Sequence, residues 1–290
     1  MKNKLFSIIL NCFLLLGLSL INQGLTHEHD KPSVQKDGNL NSQSLCFLIK
    51  EEEHFHKREG DNFDVQSPPC CSFNICFAAI AINEGKIINE REPVLAYKDG
   101  YEATREVLKQ DHNPRSWMQN SCLWYTQLLA EDIGKDVIAH YLKEFNYGNQ
   151  DLSHYKVADQ LPRFWLSSSL KISPLEHLSF LEELVNSKFH FLSEGVVDLI
   201  RKIIWIEELI PGWDLYGKGG AGNKRHLNGS EDENGKYGWF VGWLQERKQD
   251  GRKIFFVRYR DEYLPGPLYP SIITREEVKE ELKRLLEKEQ

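Results

Sequence analysis

The sequence predicts a mixed α/β (α+β) protein, in which one antiparallel sheet is built from both ends of the chain and a helical subdomain is inserted between them. Strand-like apolar segments lie near residue 44 and again after residue 212, whereas the apolar spacing over residues 116–205 is mostly helical. Of the 290 residues, 41% are apolar and 27% are charged, which is typical of a globular protein. The net charge of −7 argues against a nucleic-acid partner, because phosphate backbones bind basic proteins.

Residues 1–24 are predicted to be a secretory signal peptide. Lys2 and Lys4 precede an apolar run over residues 5–21. An uncleaved membrane anchor is the alternative, because about 17 apolar residues lie at the lower limit for spanning a bilayer. Either reading predicts export, so we expect a secreted, periplasmic protein with no membrane span after signal cleavage. Residues 25–43 are expected to form a leader or linker before a domain over residues 44–290.

The domain is expected to open with a strand over residues 44–50, paired in a hairpin with residues 54–57. Pro68 and Pro69 then introduce residues 70–82, which are apolar on nearly every face. Such a pattern is typical of a helix buried at the centre of a domain. Helical spacing follows, and residues 173–176 carry the Ser-x-x-Glu pattern of a capping box.

The last quarter of the chain changes to strand patterns, at residues 213–218, 237–244 and 253–259. We expect a Gly/Asn-rich loop over residues 219–236 and a hairpin turn at residues 249–251. A final amphipathic helix is predicted to begin at Thr274. The sheet would therefore combine these strands with the N-terminal hairpin.

Five cysteines follow the predicted signal: Cys46, Cys70, Cys71, Cys76 and Cys122. In an oxidising compartment an odd number leaves at least one thiol unpaired, reactive or joined to another chain, and the pairing stays open. No Cys-x-x-Cys pair with histidine partners occurs, so the sequence predicts no metal site and no cofactor.

Six short motifs follow one another along the chain. They are Pro-Cys-Cys-Ser-Phe-Asn-Ile at residues 69–75, Ser-Cys-Leu at 121–123, Phe-Asn-Tyr-Gly-Asn at 145–149, Phe-Trp-Leu at 164–166 with Leu-Lys-Ile-Ser at 170–173, Lys-Gly-Gly at 218–220 and Gly-Trp-Phe-Val-Gly-Trp at 238–243. In this order they resemble the motifs of class D β-lactamases, over roughly residues 44–290. The resemblance implies a β-lactamase/transpeptidase-like fold with an acyl-transfer site where the sheet meets the helical subdomain.

The nucleophile motif of that family is Ser-x-x-Lys, whose spacing places a base against the nucleophile on one helix face. The resemblance assigns Cys71 to the serine position and Asn74 to the lysine position, where the family's lysine is understood to be carboxylated. Asparagine cannot take up a proton at neutral pH. Ser72 projects about 100° further round the helix and is a poor substitute nucleophile.

Three further residues have roles implied by the resemblance. Lys218 would attract an anionic substrate, Ser121 would shuttle a proton, and Trp165 would pack beside the base. The alternatives are that Trp165 is only part of the core, that Ser121 is only a helix cap and that Lys218 is only its structural partner.

Recognition of the substrate carboxylate is also altered. Gly219 and Gly220 complete the Lys-Gly-Gly strand motif, but Gly219 lacks the hydroxyl that the family uses there. No arginine occurs at residues 268–271, where the family would place one. Arg275 or Arg225 is a candidate replacement.

These departures predict a class D β-lactamase-like, penicillin-binding protein with a degenerate active site and weak or absent hydrolysis. Cys71 is either an inert buried residue or a thiol activated by a helix N-terminus and Lys218. Expected ligands are a β-lactam or a peptidoglycan-like small molecule. An active β-lactamase acting through an acyl-enzyme, a peptidoglycan transpeptidase and a non-enzymatic periplasmic binding protein are the alternatives.

Overall fold

One antiparallel sheet of six strands organises the computed structural model, which describes residues 44–156, 158, 160–225, 230–263 and 269–289. The strands are β1 (Ser44–Glu51), β2 (His54–Gly60), β3 (Trp205–Ile210), β4 (Trp213–Arg225), β5 (Glu231–Glu246) and β6 (Lys253–Tyr263). Their order across the sheet is β2-β1-β6-β5-β4-β3. The N-terminal hairpin therefore pairs beside the C-terminal strands, and the predicted fold class is confirmed.

Seven α-helices occur within the described residues, and six of them lie between β2 and β3 in the chain. They are α1 (Asn74–Asn83), α2 (Pro114–Asn120), α3 (Leu123–Ile133), α4 (Lys135–Glu144), α5 (Pro174–Val185), α6 (Val196–Ile204) and α7 (Pro270–Glu287). A 3₁₀ turn, Cys70–Phe73, leads directly into α1. Every residue of α1 from Asn74 to Ala81 is buried, as expected for a central helix.

The two faces of the sheet pack against different helices. Along β5, Trp239 and Trp243 belong to the large core formed with the helical subdomain. Phe240 and Leu244 belong to a smaller core that includes Leu282 of α7. This alternation follows from the two-residue period of a strand, which sends successive side chains to opposite faces.

Two sequence expectations about element boundaries were wrong. The expected loop over residues 219–236 is largely strand, because the backbone of Gly219, Gly220 and their neighbours continues the ladder with β5. Glycine composition suggested a loop, but hydrogen bonding to a long partner strand outweighs that local preference. The last helix begins at Pro270 rather than at Thr274, because proline fits the first helical turn, where no N–H is needed.

Two local signals were confirmed. Ser173 accepts a hydrogen bond from the Glu176 amide, and the Glu176 carboxylate accepts one from the Ser173 amide, which completes the capping box of α5. The turn between β5 and β6 contains Asp250 with a positive φ of 52°.

The predicted signal peptide and leader, residues 1–43, lie outside the described residues. Within the described chain, no helix combines the length and the apolar character that crossing a membrane requires. The predicted domain boundaries stay predictions.

Candidate active site

Cys71 occupies the second position of the 3₁₀ turn before α1. The residue before it, Cys70, has a positive φ of 49° and donates its amide N–H to the Trp165 carbonyl at 3.0 Å. Positive φ is uncommon for a residue other than glycine and is found where the surrounding structure enforces it, often at functional sites. Of the five described cysteines only Cys71 is partly exposed, and none of the five is paired in a disulfide. The interpretation of Cys71 as a buried residue is therefore wrong, whereas the reactivity of its thiol stays a prediction.

The two neighbours of Cys71 are occupied by other contacts. Ser72 is fully buried and its hydroxyl donates to the Pro69 carbonyl at 2.7 Å. The Cys70 sulfur lies 3.1 Å from the Tyr237 hydroxyl, and burial raises the pKa of Cys70 to about 12. Among the candidate nucleophiles of this motif, Cys71 is therefore the one that solvent can reach.

Lys218 and Ser121 form a direct contact across the site. The Lys218 ammonium donates hydrogen bonds to the Ser121 hydroxyl and to the Gly219 carbonyl, the latter at 3.1 Å. Ser121 caps the C-terminal end of α2 in the left-handed conformation, with φ 51° and ψ 51°. The predicted partnership of Lys218 and Ser121 is present in the structure, and it fits both a proton shuttle and a structural contact.

The environment of Lys218 disfavours its charge. Burial is the largest influence and lowers the pKa of Lys218, and the positive charges of Arg105 and Arg275 lower it further. A thiolate at Cys71 acts in the opposite direction and raises it. Cys71, Ser121 and Lys218 are therefore brought together, because Lys218 is hydrogen-bonded to Ser121 and lies within range of the charge of a thiolate at Cys71.

Gly220 lets β4 lie against the turn that carries Cys71. A Cβ atom at Gly220 would stand 2.4 Å from the Pro69 carbonyl oxygen and 2.7 Å from the Ser72 nitrogen, so any larger residue would collide with backbone. Gly219 is different, because its nearest neighbours would be Trp239 O at 3.6 Å and Ser271 Cβ at 3.8 Å. A residue with a hydroxyl group would therefore fit at position 219. Steric crowding does not explain why this position is glycine.

Asn74 replaces a base with an amide that is almost fully buried. Its Oδ1 atom accepts a hydrogen bond from Thr126 at 3.4 Å, and Thr126 in turn accepts one from the Trp117 indole at 2.8 Å. The Asn74 Nδ2 donor has no partner among the described residues. Thr126 was not expected here, because a single threonine within a helix forms no recognisable sequence motif.

Trp165 is fully buried, with its ring 5.9 Å from that of Phe73. Its Nε1 donor, like Nδ2 of Asn74, has no acceptor in the described part of the chain. The ring packing agrees with the interpretation of Trp165 as part of the core. The indole N–H without an acceptor agrees with the other interpretation, in which Trp165 packs beside the family's base. Both interpretations stay open, and neither Trp165 nor Asn74 can act as a base.

The two candidate arginines, Arg275 and Arg225, differ in their hydrogen-bond and ion-pair partners. Arg275 is exposed on α7, one helical turn after Ser271, and forms no ion pair with described residues. Arg225 instead donates to the Ser167 carbonyl at 2.8 Å and pairs with Glu231 at 3.3 Å. Arg275, whose charge lowers the pKa of Lys218, is therefore the better candidate to replace the family's arginine.

Arg105 was missed by the sequence analysis. It donates a hydrogen bond to the Asn120 carbonyl, next to Ser121, and its charge lowers the pKa of Lys218. It precedes a short 3₁₀ turn, Glu106–Leu108, in a stretch without helical or strand periodicity. No sequence signal therefore pointed to it.

The described ranges contain no group of three or more His, Cys, Asp or Glu side chains placed to hold a metal ion.

Comparison with known proteins places this arrangement in a family. The sequence-family model of the penicillin-binding protein transpeptidase domain matches residues 63–263 of this chain. β-Lactamase OXA-9 of Klebsiella pneumoniae is 34% identical over 192 residues, which are 66% of this chain and 69% of OXA-9. β-Lactamase OXA-1 of Escherichia coli is 32% identical over 211 residues, 71% of each chain. The chain belongs to the class D β-lactamase family.

A solved structure supports the same assignment. The crystal structure of the OXA-427 class D β-lactamase superposes with a TM-score of 0.76 at 35% identity, over 84% of this chain and 99% of that one. This member of the class D family therefore has the penicillin-binding fold, with Cys71 and Asn74 where the motif of the family has serine and lysine.

Proposed function

We propose that this class D family member binds penicillins between β4 and the Cys71 turn, is acylated slowly at Cys71, and hydrolyses the product weakly or not at all. The observation that carries the proposal is Asn74. A nearly buried amide, held by Thr126, stands where the family has its base. Losing general-base assistance commonly costs a factor of about 10² to 10⁴ in rate.

Acylation of Cys71 depends less on a general base than hydrolysis of the acyl-enzyme does. The Cys71 proton is lost to solvent, the sulfur bonds to the lactam carbonyl carbon, and the ring C–N bond opens. The leaving nitrogen takes a proton from the Ser121 hydroxyl, which Lys218 replenishes through their hydrogen bond. The Cys71 amide N–H has no acceptor among the described residues and is available to the oxyanion.

Hydrolysis of the resulting thioester requires a base that activates water. Asn74 cannot supply it, so the acyl group stays on Cys71. Arg275 and Lys218 supply positive charge for the substrate carboxylate, in place of the family's arginine. We also propose that the protein works in the periplasm, because residues 1–24 have the pattern of a secretory signal.

Intact-mass spectrometry with benzylpenicillin tests the proposal. We expect a slow mass increase of one penicillin per chain that persists after free drug is removed. Cys71→Ala abolishes the adduct, whereas Cys70→Ala and Cys76→Ala, which change buried thiols, leave it intact. The rate of adduct formation rises with pH, because the thiolate is the attacking species.

Two outcomes would overturn the proposal in different directions. An unchanged mass after hours at high drug concentration would leave a non-enzymatic binding protein. Rapid consumption of penicillin with no lasting adduct would establish an active β-lactamase.

A further inference from the structure

A second cleft lies beside the proposed acyl-transfer site and shares none of its residues. Its volume is about 540 Å³, within the usual range for small-molecule sites. It is lined by Glu90, Arg91, Asn113, Arg115, Arg201, Lys202, Trp205 and Tyr216.

Two elements connect this cleft to the site. Tyr216 and Lys218 are two residues apart on β4, so their side chains leave the same face of the strand. The residue that caps the start of helix α2, Asn113, lines the cleft, and the residue that caps its end is Ser121. At 1.5 Å per residue, α2 spans about 10 Å, which separates the cleft from the Lys218–Ser121 contact.

The cleft is strongly cationic in a chain whose net charge is −7. Four lining side chains are basic and one is acidic. Arg201 pairs with the exposed carboxylate of Asp198 at 2.6 Å. The other three, Arg91, Arg115 and Lys202, have no carboxylate within 4.0 Å among the described residues.

Arg115 and Arg201 are the most enclosed of these charges. Arg115 donates to the Lys202 carbonyl at 2.8 Å, and its guanidinium lies 5.4 Å from the centre of the Trp205 ring. Burial lowers the pKa of Arg115, because the guanidinium charge loses contact with water. No carboxylate of the described residues compensates that loss. The Nε–H group of Arg201 is buried and has no acceptor in the described part of the chain. An oxyanion in the cleft would compensate the guanidinium charge of Arg115.

Two aromatic side chains form the rest of the lining. The Tyr216 ring stacks on Trp243 at 5.0 Å, which fixes its plane, and its hydroxyl makes no hydrogen bond with described residues. The Trp205 indole N–H is held by Asp214 at 2.7 Å. Fixed aromatic surfaces next to cations suit a ligand with a planar apolar part and an anionic part.

We propose that this cleft binds a small phosphate monoester whose phosphate contacts Arg115, Arg201 and Lys202 and whose planar ring lies against Tyr216 and Trp205. Of the three cations without a carboxylate partner, Arg115 and Lys202 would contact the phosphate, which matches the two charges of a divalent oxyanion. A planar ring fits the aromatic lining. The ligand class differs from that of the acyl-transfer site, and the inference does not depend on the proposed function.

Isothermal titration calorimetry with phenyl phosphate, inorganic phosphate and phenol tests the proposal. We expect saturable binding of phenyl phosphate, weaker binding of inorganic phosphate and none of phenol. Lys202→Gln weakens phenyl phosphate binding about two- to fivefold, as expected for the loss of an exposed ion pair. Lys98→Gln removes the same charge at an exposed position outside the lining and leaves binding unchanged.

The Cys71→Ala protein separates this inference from the proposed function, because it lacks the acylation site and keeps the cleft. We expect it to bind phenyl phosphate as the wild type does. Absence of saturable binding, or equal losses in Lys98→Gln and Lys202→Gln, would overturn the inference whatever penicillin does at Cys71.

Discussion

The ammonium group of Lys218 donates a hydrogen bond to the hydroxyl of Ser121 while the lysine is almost fully enclosed by protein. Burial, Arg105 and Arg275 lower the pKa of Lys218, and a thiolate at Cys71 raises it. A thiolate at Cys71 therefore favours the ammonium form of Lys218. A bound substrate carboxylate would stabilise the ammonium in the same way as the thiolate.

The first prediction concerns stability and pH. Because the pKa of Lys218 lies below its ordinary value of 10.5, the unfolded chain binds more protons, and stability rises with pH up to that value. We expect the free energy of unfolding of the wild type, minus that of Lys218→Met, to increase between pH 7 and pH 10. Urea denaturation measures it, with exposed Lys288→Met as the control. A difference that stays flat or decreases would show that folding does not lower the pKa of Lys218.

The second prediction concerns turnover. Wild-type hydrolysis of nitrocefin should be near background, because Asn74 cannot activate water. The double variant Cys71→Ser with Asn74→Lys should recover measurable turnover, since it restores nucleophile and base on one helix face. Each single variant serves as a control and should stay inactive. Wild-type turnover of about 1 per second or more would refute the explanation, because that is the ordinary enzymatic range.

The third prediction assigns the substrate carboxylate to Arg275. This side chain is exposed and has no ion-pair partner among the described residues. We expect Arg275→Gln to slow Cys71 acylation about two- to fivefold at low penicillin concentration, which is the effect of one exposed charge. The rate at saturating drug should change little, because Arg275 contributes to binding rather than to bond formation.

Salt and a matched variant check that assignment. Lys288→Gln removes one charge near the far end of α7 and should leave acylation unchanged. Added salt should reduce the difference between wild type and Arg275→Gln, since exposed charges are screened. Equal rates in both proteins at low salt would exclude Arg275 from substrate binding.

Much of this fold was predictable because its signals are local or ordered along the chain. The apolar run before and within α1 identified a central helix, and the motif order identified Cys71, Ser121 and Lys218 together. The contacts of Thr126 and Arg105 were not predictable, because each depends on a distant backbone or side-chain partner. The extension of β4 was missed because glycine composition says little about pairing with a partner strand.

The fourth prediction uses His177, which is fully buried on α5 with neither ring nitrogen hydrogen-bonded to a described residue. Burial lowers the pKa of His177 from 6.5 to about 3. Between these pH values, the histidine is protonated in the unfolded chain and neutral in the folded chain. Stability is therefore lost as pH falls from 6.5 towards 3, by up to about 1.4 kcal/mol per pH unit. We expect His177→Leu to lose less stability than the wild type between pH 6.5 and pH 4.5 in urea denaturation. Exposed His140→Gln should follow the wild type, and parallel curves for wild type and His177→Leu would show that His177 is not the group responsible.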